Sequence, residues 1–319
     1  FKPAFNYRPK QSAQYALAIS NFEESIESPQ RYNFGFIAST DDHTARPGTG
    51  YKQYERRKMT FATGVKSKMW EYQYQAEDPN FPEIPQITPG ESQPDSERVS
   101  SFVYPGGILA VHAEGRGKDE IWAALKNKNV YGTSGPRILL WFDLINSPEG
   151  QMPMGSEITM SQNPRFIVRA AGSFKQNEGC SNESIDSLSS ERLEYLCAGE
   201  CYNPSNEREI IERIEIIKIT PQIYADEEVS PLIQDPWMTV PCQGTGECIV
   251  EFEDQNFSRD SVYYVRALQN PTPAINGSSL SQRDSFQLCK GSFKTDLADD
   301  CLSMTKERAW SSPIYVNKP

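Results

Sequence analysis

The stretch at residues 106–142, GGILAVHAEGRGKDEIWAALKNKNVYGTSGPRILLWF, decides what kind of fold the chain adopts. It begins with an apolar run, Ile108 to Val111, which has the length and composition of a buried strand. Glycines at 115 and 117 mark a turn, and a helix is expected after it. Asp119 and Glu120 fall in the first turn of that helix, and Lys126 and Lys128 lie near its end, as the helix macrodipole favours. Ile121, Ala124 and Leu125 are spaced to form its inward stripe. Another strand follows from Arg137. A strand, a helix and a strand predict an α/β unit, and runs as apolar as GGILAV predict burial on both faces, as in parallel sheets.

Toward the N-terminus, Tyr15, Ile19, Phe22 and Ile26 recur at helical spacing, so residues 11–28 are expected to form an amphipathic helix that stops before Pro29. FGFIAS, residues 34–39, is a second short buried strand, and Asp41, Asp42 and His43 follow its end. In an extended segment, alternate residues point the same way, so Asp41 and His43 can present an oxygen and a nitrogen to one cation. A three-residue motif is also compatible with a loop ion pair. Residues 51–104 change texture, from the aromatic and basic YKQYERRKMTF to a Pro-rich acidic run, and are expected to form a long excursion over one face or, equally, plain surface decoration. Toward the C-terminus the pattern becomes all-β. RILLWFDLI, RFIVRAAG, IERIEIIKI, CIVEFED, SVYYVRAL and SSPIYV are short strand-like runs between turn-rich loops, which predicts an antiparallel sandwich. The two domains are expected to cover residues 1–145 and 146–319.

Composition narrows the functional classes. With 32 Lys and Arg against 43 Asp and Glu, the net charge is -11, which sets the long-range field against polyanions, and no basic stripe offsets it. Nucleic acid is therefore not an expected partner. No run approaches the roughly 20 apolar residues of a membrane span. All seven cysteines lie at or after position 180, and their spacings lack the repeated pairs of a zinc ribbon, which points to disulfides and an oxidising compartment, secreted or periplasmic. Cys197 with Cys201 and Cys242 with Cys248 are close in sequence. Asn182, Asn256 and Asn276 sit in glycosylation sequons. The opening FKPAFNYRPK has no signal-peptide character, so a leader is expected to have been removed or the chain to begin inside a longer precursor.

Four segments, YNFGFIASTDDHTARPGTG (32–50), GGILAVHAEGRGKDEIWAALKNKNVYGTSGPRI (106–138), SVYYVRALQNPTP (261–273) and KERAWSSPIYV (306–316), together resemble a large family of bacterial secreted proteins related to the PHP (polymerase and histidinol phosphatase) metallohydrolases. The resemblance implies an α/β then all-β fold, with the C-terminal part of a PHP-type (β/α) barrel followed by an antiparallel β-sandwich with disulfides. It implies a D-x-H metal motif, with Asp41 and His43 as catalytic metal ligands and Asp42 between them in the second shell of the site. Two or three divalent ions, Zn, Mn or Fe, would activate a water to cleave phosphate esters. The further histidines and carboxylates of such a site have no counterpart before residue 43, so an N-terminal polypeptide of the same precursor is expected to supply the remaining ligands.

Arg46 and Arg137 are candidates for holding a small anionic substrate, because a guanidinium matches phosphate geometry, and Arg137 is equally suited to a structural ion pair. Glu114, two residues beyond His112, can act as a supporting carboxylate. His112 itself reads as a packed, hydrogen-bonded core histidine ahead of a ligand. Thr133 and Ser134 have no base in sequence reach and read as turn residues. A different class of protein also fits the pattern, a non-catalytic extracellular structural or binding protein built on a degenerate barrel plus sandwich.

Overall fold

A computed structural model describes residues 12–39, 107–197, 201–275 and 302–319. Its first elements are helix α1 (Ala13–Ala18) and the small ladder of β1 (Ser20–Asn21) with β2 (Gln30–Arg31). The long helix expected over 11–28 therefore stops after six residues, and Ile26 is exposed. The cause is local competition for backbone groups. The Ser20 hydroxyl donates to the Gln222 carbonyl at 2.9 Å, and Glu23 N–H donates to Asn21 Oδ1 at 2.9 Å.

Next come β3 (Ile108–Val111), helix α2 (Lys118–Lys126) and β4 (Val130–Thr133), the order that GGILAV and its sequel predict. Their pairing differs from the expectation. β3 and β4 are antiparallel neighbours, with Ile108 opposite Thr133 and Val111 opposite Val130. The helix leaves and rejoins at the same end of the ladder: Lys128 takes a left-handed turn (φ 59°), and His112 N–H donates to Asn129 C=O at 2.9 Å. A parallel crossover would instead carry the chain back to the far end.

The chain continues through β5 (Leu139–Ser147), β6 (Gly150–Pro153), β7 (Glu157–Thr159), β8 (Arg165–Ala171) and β9 (Phe174–Glu178). Helices α3 (Asn182–Ser187) and α4 (Ser190–Cys197) lead to β10 (Tyr202–Arg208), β11 (Ile211–Ile219), β12 (Ile233–Pro241), β13 (Glu247–Glu253) and β14 (Ser261–Gln269). β15 (Thr272–Ile275), β16 (Leu302–Thr305), β17 (Arg308–Ser311) and β18 (Ile314–Asn317) complete it. The large sheet runs β12-β11-β14-β17-β4-β3, with β18 beside β14 and β7 beside β18. The small sheet runs β13-β8-β5-β6, and β9–β10 and β15–β16 are separate hairpins.

This arrangement corrects the expected barrel. The described residues form mostly β-sheet with four helices and no closed barrel, and every strand pairing is antiparallel except β18 with β7. β3 and β4 belong to the same sheet as β11, β14 and β17 from the other end of the chain. The alternation that predicted sandwich strands is present in β13, whose Cys248, Val250 and Phe252 are buried between exposed neighbours. The core between the sheets joins Leu140, Phe142, Phe166 and Val168 of the small sheet to Ile214, Ile216, Tyr263 and Val265 of the large one. Phe166 is its hub, with ring centroids 5.3 Å from Phe142, 5.0 Å from Phe252 and 4.8 Å from Tyr263.

Two disulfides form among the described residues. Cys242–Cys248 links the end of β12 in the large sheet to β13 in the small one. Cys201 bonds Cys180 rather than its close neighbour Cys197, closing the mouth of the β9–β10 hairpin. The sheets are also tied by charge. Lys218 of β11 pairs with Asp254, which follows β13 and is fully buried, and the Tyr263 hydroxyl donates to the same carboxylate at 2.5 Å. Lys218 Nζ also lies 5.3 Å from the Trp237 ring centroid. Burial and the adjacent Asp254 carboxylate push the Tyr263 hydroxyl pKa up, so it stays a donor.

Asp254→Ala leaves the Lys218 ammonium buried without its anion. It is expected to cost about 3–5 kcal/mol in urea unfolding. The double variant Lys218→Met/Asp254→Leu is expected to recover most of that loss, and equal destabilisation of the two proteins would show that packing rather than the ion pair joins the sheets here.

Candidate functional site

After β2 the chain runs as an extended strap, residues 34–38, across the face of the large sheet that points away from the small one. Phe34 N–H donates to the Tyr315 hydroxyl at 2.9 Å, and that hydroxyl donates back to Phe34 C=O at 2.8 Å. Phe36 N–H donates to Ser312 Oγ at 3.0 Å, and the Phe36 ring meets Tyr264 edge-on at 5.1 Å. The strap ends in a tight fit: a Cβ placed on Gly132 would lie 2.8 Å from the Ala38 Cβ, and one on Gly107 would lie 2.7 Å from it. Only glycine at these two positions lets Ala38 settle so close to β4.

Gly132 begins a cross-strand row. Trp310 of β17 lies opposite Gly132, Arg266 of β14 opposite Trp310, and Glu215 of β11 opposite Arg266, so the four share one face. Arg266 pairs with Asp235 and, at 2.9 Å, with Glu215. Arg213, also on β11, reaches Glu215 at 2.7 Å and Glu212 at 2.6 Å, and Lys306 reaches Glu212 at 2.8 Å. Gln14 of α1 donates to Asp235 at 2.7 Å and to the Tyr264 hydroxyl at 2.6 Å. Gln14 Oε1 and Arg266 Nε are buried with no partner among the described residues.

Arg308, at the start of β17, stands apart in this network. Its Nε donates to the Lys306 carbonyl at 3.2 Å and its guanidinium lies 6.0 Å from the Trp310 ring centroid, but no carboxylate among the described residues forms an ion pair with it. Burial lowers its pKa, and the positive charges of Arg266 and Arg213 lower it further against the opposing pull of Glu215 and Glu307. Beside it Glu307 is buried, and its Oε2 accepts from the Ser134 hydroxyl. Burial pushes the Glu307 carboxyl up to about 7 against the opposing effects of Ser134 and Arg308.

The residues singled out by sequence divide into two groups. Asp41, Asp42, His43 and Arg46 lie outside the described residues, as does the 51–104 excursion. Arg137 is exposed in the turn after β4. Ser134 of that turn donates its N–H to Arg308 C=O at 2.9 Å, and its Oγ accepts from Arg308 N–H at 2.9 Å, so Ser134 is a structural clip. His112 is half-buried. Its Nε2 donates to Leu140 C=O at 2.8 Å, and its ring packs against Tyr131 and Trp141. With exposed Glu114, and with Trp141, Asp143 and Met154, it lines an open cleft of about 330 Å³. Asp143 in that cleft is already engaged, by Gln151 at 2.9 Å and Arg169 at 3.4 Å. Among the described residues no three His, Cys, Asp or Glu side chains converge as a metal site.

Arg266, Glu215, Asp235 and Arg308 escaped the sequence reading. Their signal was charge at alternate positions inside apolar strands, as in IERIEIIKI and SVYYVRAL, which marks a strand face that carries polar work.

The sequence model described as "Protein of unknown function (DUF3604)" matches residues 21–178 and 238–318. The chain belongs to the DUF3604 family. The match covers the strap, β3–β9 and β13–β18, and it leaves out the helical insert of the β9–β10 hairpin together with β10, β11 and the start of β12. It supports a family kinship without the link to PHP enzymes that the resemblance implied. No curated protein matches the chain.

Glu307 gives this DUF3604 chain a pH signature. Its folded pKa lies above the ordinary 4.5, so its stabilising contribution is whole below pH 4.5 and is lost as pH rises through about 7. Glu307→Gln is expected to melt higher than wild type at pH 8, by an amount of the order of 2 kcal/mol, with the gap closing toward pH 5. Parallel melting curves across that range would refute the buried carboxyl as its source.

Proposed function

We propose that this DUF3604 chain is an extracytoplasmic metal-dependent hydrolase that cleaves phosphate esters with a metal-activated water, with Asp41 and His43 as metal ligands. The carrying observation is the strap: Ala38 is held against Gly132, in the row that leads through Trp310 to Arg266, and Asp41 and His43 follow three and five residues later. Covalent reach keeps their Cα atoms within about 11 and 18 Å of Ala38. The imidazole and carboxylate donor set suits Zn, Mn or Fe. Bound divalent ions would supply the Lewis acidity that activates water and screens phosphoryl charge.

On this reading the chain's own residues position the anion. Arg46 lies three residues beyond His43, and Arg137 stands on the turn clipped to β17. Asp42 and Glu114 are the supporting carboxylates. The two disulfides suit an oxidising compartment, and no helix among the described residues is long and apolar enough to cross a membrane. Further ligands come from a second polypeptide, for which the supporting feature is the outer edge of β3. Ile108–Val111 carries no ladder there among the described residues, and it lacks the Pro and charge that blunt natural edges. A non-catalytic binding protein is the second reading, favoured by the cleft at His112 and Trp141.

Elemental analysis of the native protein is expected to find at least two transition-metal ions per complex, with turnover of phosphomonoesters or diesters. His43→Ala is expected to lose at least one ion and the activity, and His112→Phe neither. A metal-free native protein without turnover would leave the binding reading in its place.

A further inference from the structure

We propose that Arg308 anchors an oxyanion-binding site on the outer face of the large sheet, its guanidinium receiving the phosphate or carboxylate group of a ligand beside Trp310. This extends the hydrolase reading by naming a group that would hold the substrate's anion, yet it rests on observations of its own.

The first is an imbalance of partners. Arg213, Arg266 and Lys306 all reach carboxylates, drawn from Glu212, Glu215 and Asp235. Arg308 forms an ion pair with none among the described residues, and its guanidinium's one hydrogen bond there, from Nε to Lys306 C=O, leaves the terminal nitrogens of the fork for another acceptor. The second is the direction of the field. Arg308 is half-buried, and both burial and neighbouring Arg266 make its positive charge harder to hold. The preceding residue, Glu307, has its carboxyl pushed up to about 7 by burial and is turned to Ser134. Glu215 and Glu307 favour the charged form through coulombic attraction, without an ion-pair contact. An arriving oxyanion would supply that direct partner, and a desolvated guanidinium binds one more strongly than an exposed arginine does.

The third is that the guanidinium is already positioned. Arg308 N–H is tied to Ser134 Oγ, its carbonyl to Ser134 N–H, its Nε to Lys306, and its charge lies over Trp310. The two Ser134 bonds fix the backbone from which the side chain springs, and the Nε bond and the Trp310 ring orient the guanidinium, whose planar fork matches the two oxygens of a phosphate or a carboxylate. The turn that carries Ser134 also carries exposed Arg137, three residues on.

The test uses the full chain with inorganic phosphate and acetate as probes, followed by calorimetry and by tryptophan fluorescence. Wild type is expected to bind, and the better of the two probes identifies the ligand's anionic group. Arg308→Gln should weaken binding at least about tenfold and Arg308→Lys by less, because lysine keeps the charge and loses the fork. Arg165→Gln, which removes an exposed arginine paired with Glu251 on the small sheet, should bind as wild type does. In the unaltered protein, phosphate should protect Arg308 from phenylglyoxal, as read by peptide mass; this arm needs no variant to fold. Wild-type affinity in Arg308→Gln, or modification of Arg308 that neither probe slows, overturns the site. Loss of metal or activity in His43→Ala with anion binding intact would separate this inference from the hydrolase reading.

Discussion

Everything in this fold follows from the two-sided burial of β11 and β14. Ile214, Ile216, Tyr263 and Val265 face the small sheet, while Ile217, Ile219, Val262 and Tyr264 face the other way and are equally buried. A strand pair of this kind cannot leave either face to water, since each large apolar side chain withdrawn from solvent is worth about 1.5–3 kcal/mol. The small sheet covers one side. Helix α1, through Leu17 and Ala18, and the strap, through Phe34 and Phe36, cover part of the other. The strap's course across the sheet is thus required by the core before any question of function arises.

That same two-sidedness explains what the sequence could and could not disclose. Runs such as IERIEIIKI and SVYYVRAL were legible as strands because β-branched and aromatic residues fill them. GGILAV was legible as a strand and DEIWAALK as a helix, and both exist. Their relation was not legible, because strand–helix–strand order is shared by a parallel crossover and by a hairpin with a helical insert. The antiparallel β3–β4 register, closed at its end by the His112–Asn129 bond, separates the two, and local composition does not record it. Near-continuous apolar runs pointed to a barrel for a related reason: burial on both faces is common to parallel barrels and to the centre of this antiparallel sheet.

The candidate site was legible in its charged sequence motif and illegible in its sheet. Asp41 and His43 were found by motif, and they lie outside the described residues. Arg137 and Glu114 were found by residue type, and the structure sets them apart, the first by the clip to β17 and the second in the His112 cleft. Arg266 and Glu215 meet across a strand register from positions 51 apart in the chain, which only the pairing of β11 with β14 brings about.

A sheet face that mixes Tyr264, Trp310 and Ile217 with Arg213, Glu215 and Arg266 is an expensive surface to fold. Each charge loses part of its hydration, and pairing returns that cost only when every ion finds a partner. Six of the charges on and around this face meet that condition through Glu212, Glu215 and Asp235 with Arg213, Arg266 and Lys306. Arg308 does not, and burial pushes the carboxyl of Glu307 next to it up to about 7, which lessens that cost below neutral pH. Stability alone would favour an apolar residue at position 308, packed on Trp310 as its neighbours are. The presence there of a half-buried guanidinium with no ion-paired carboxylate among the described residues, on the face that the strap crosses just before Asp41 and His43, sets a cation where an anionic ligand would find it.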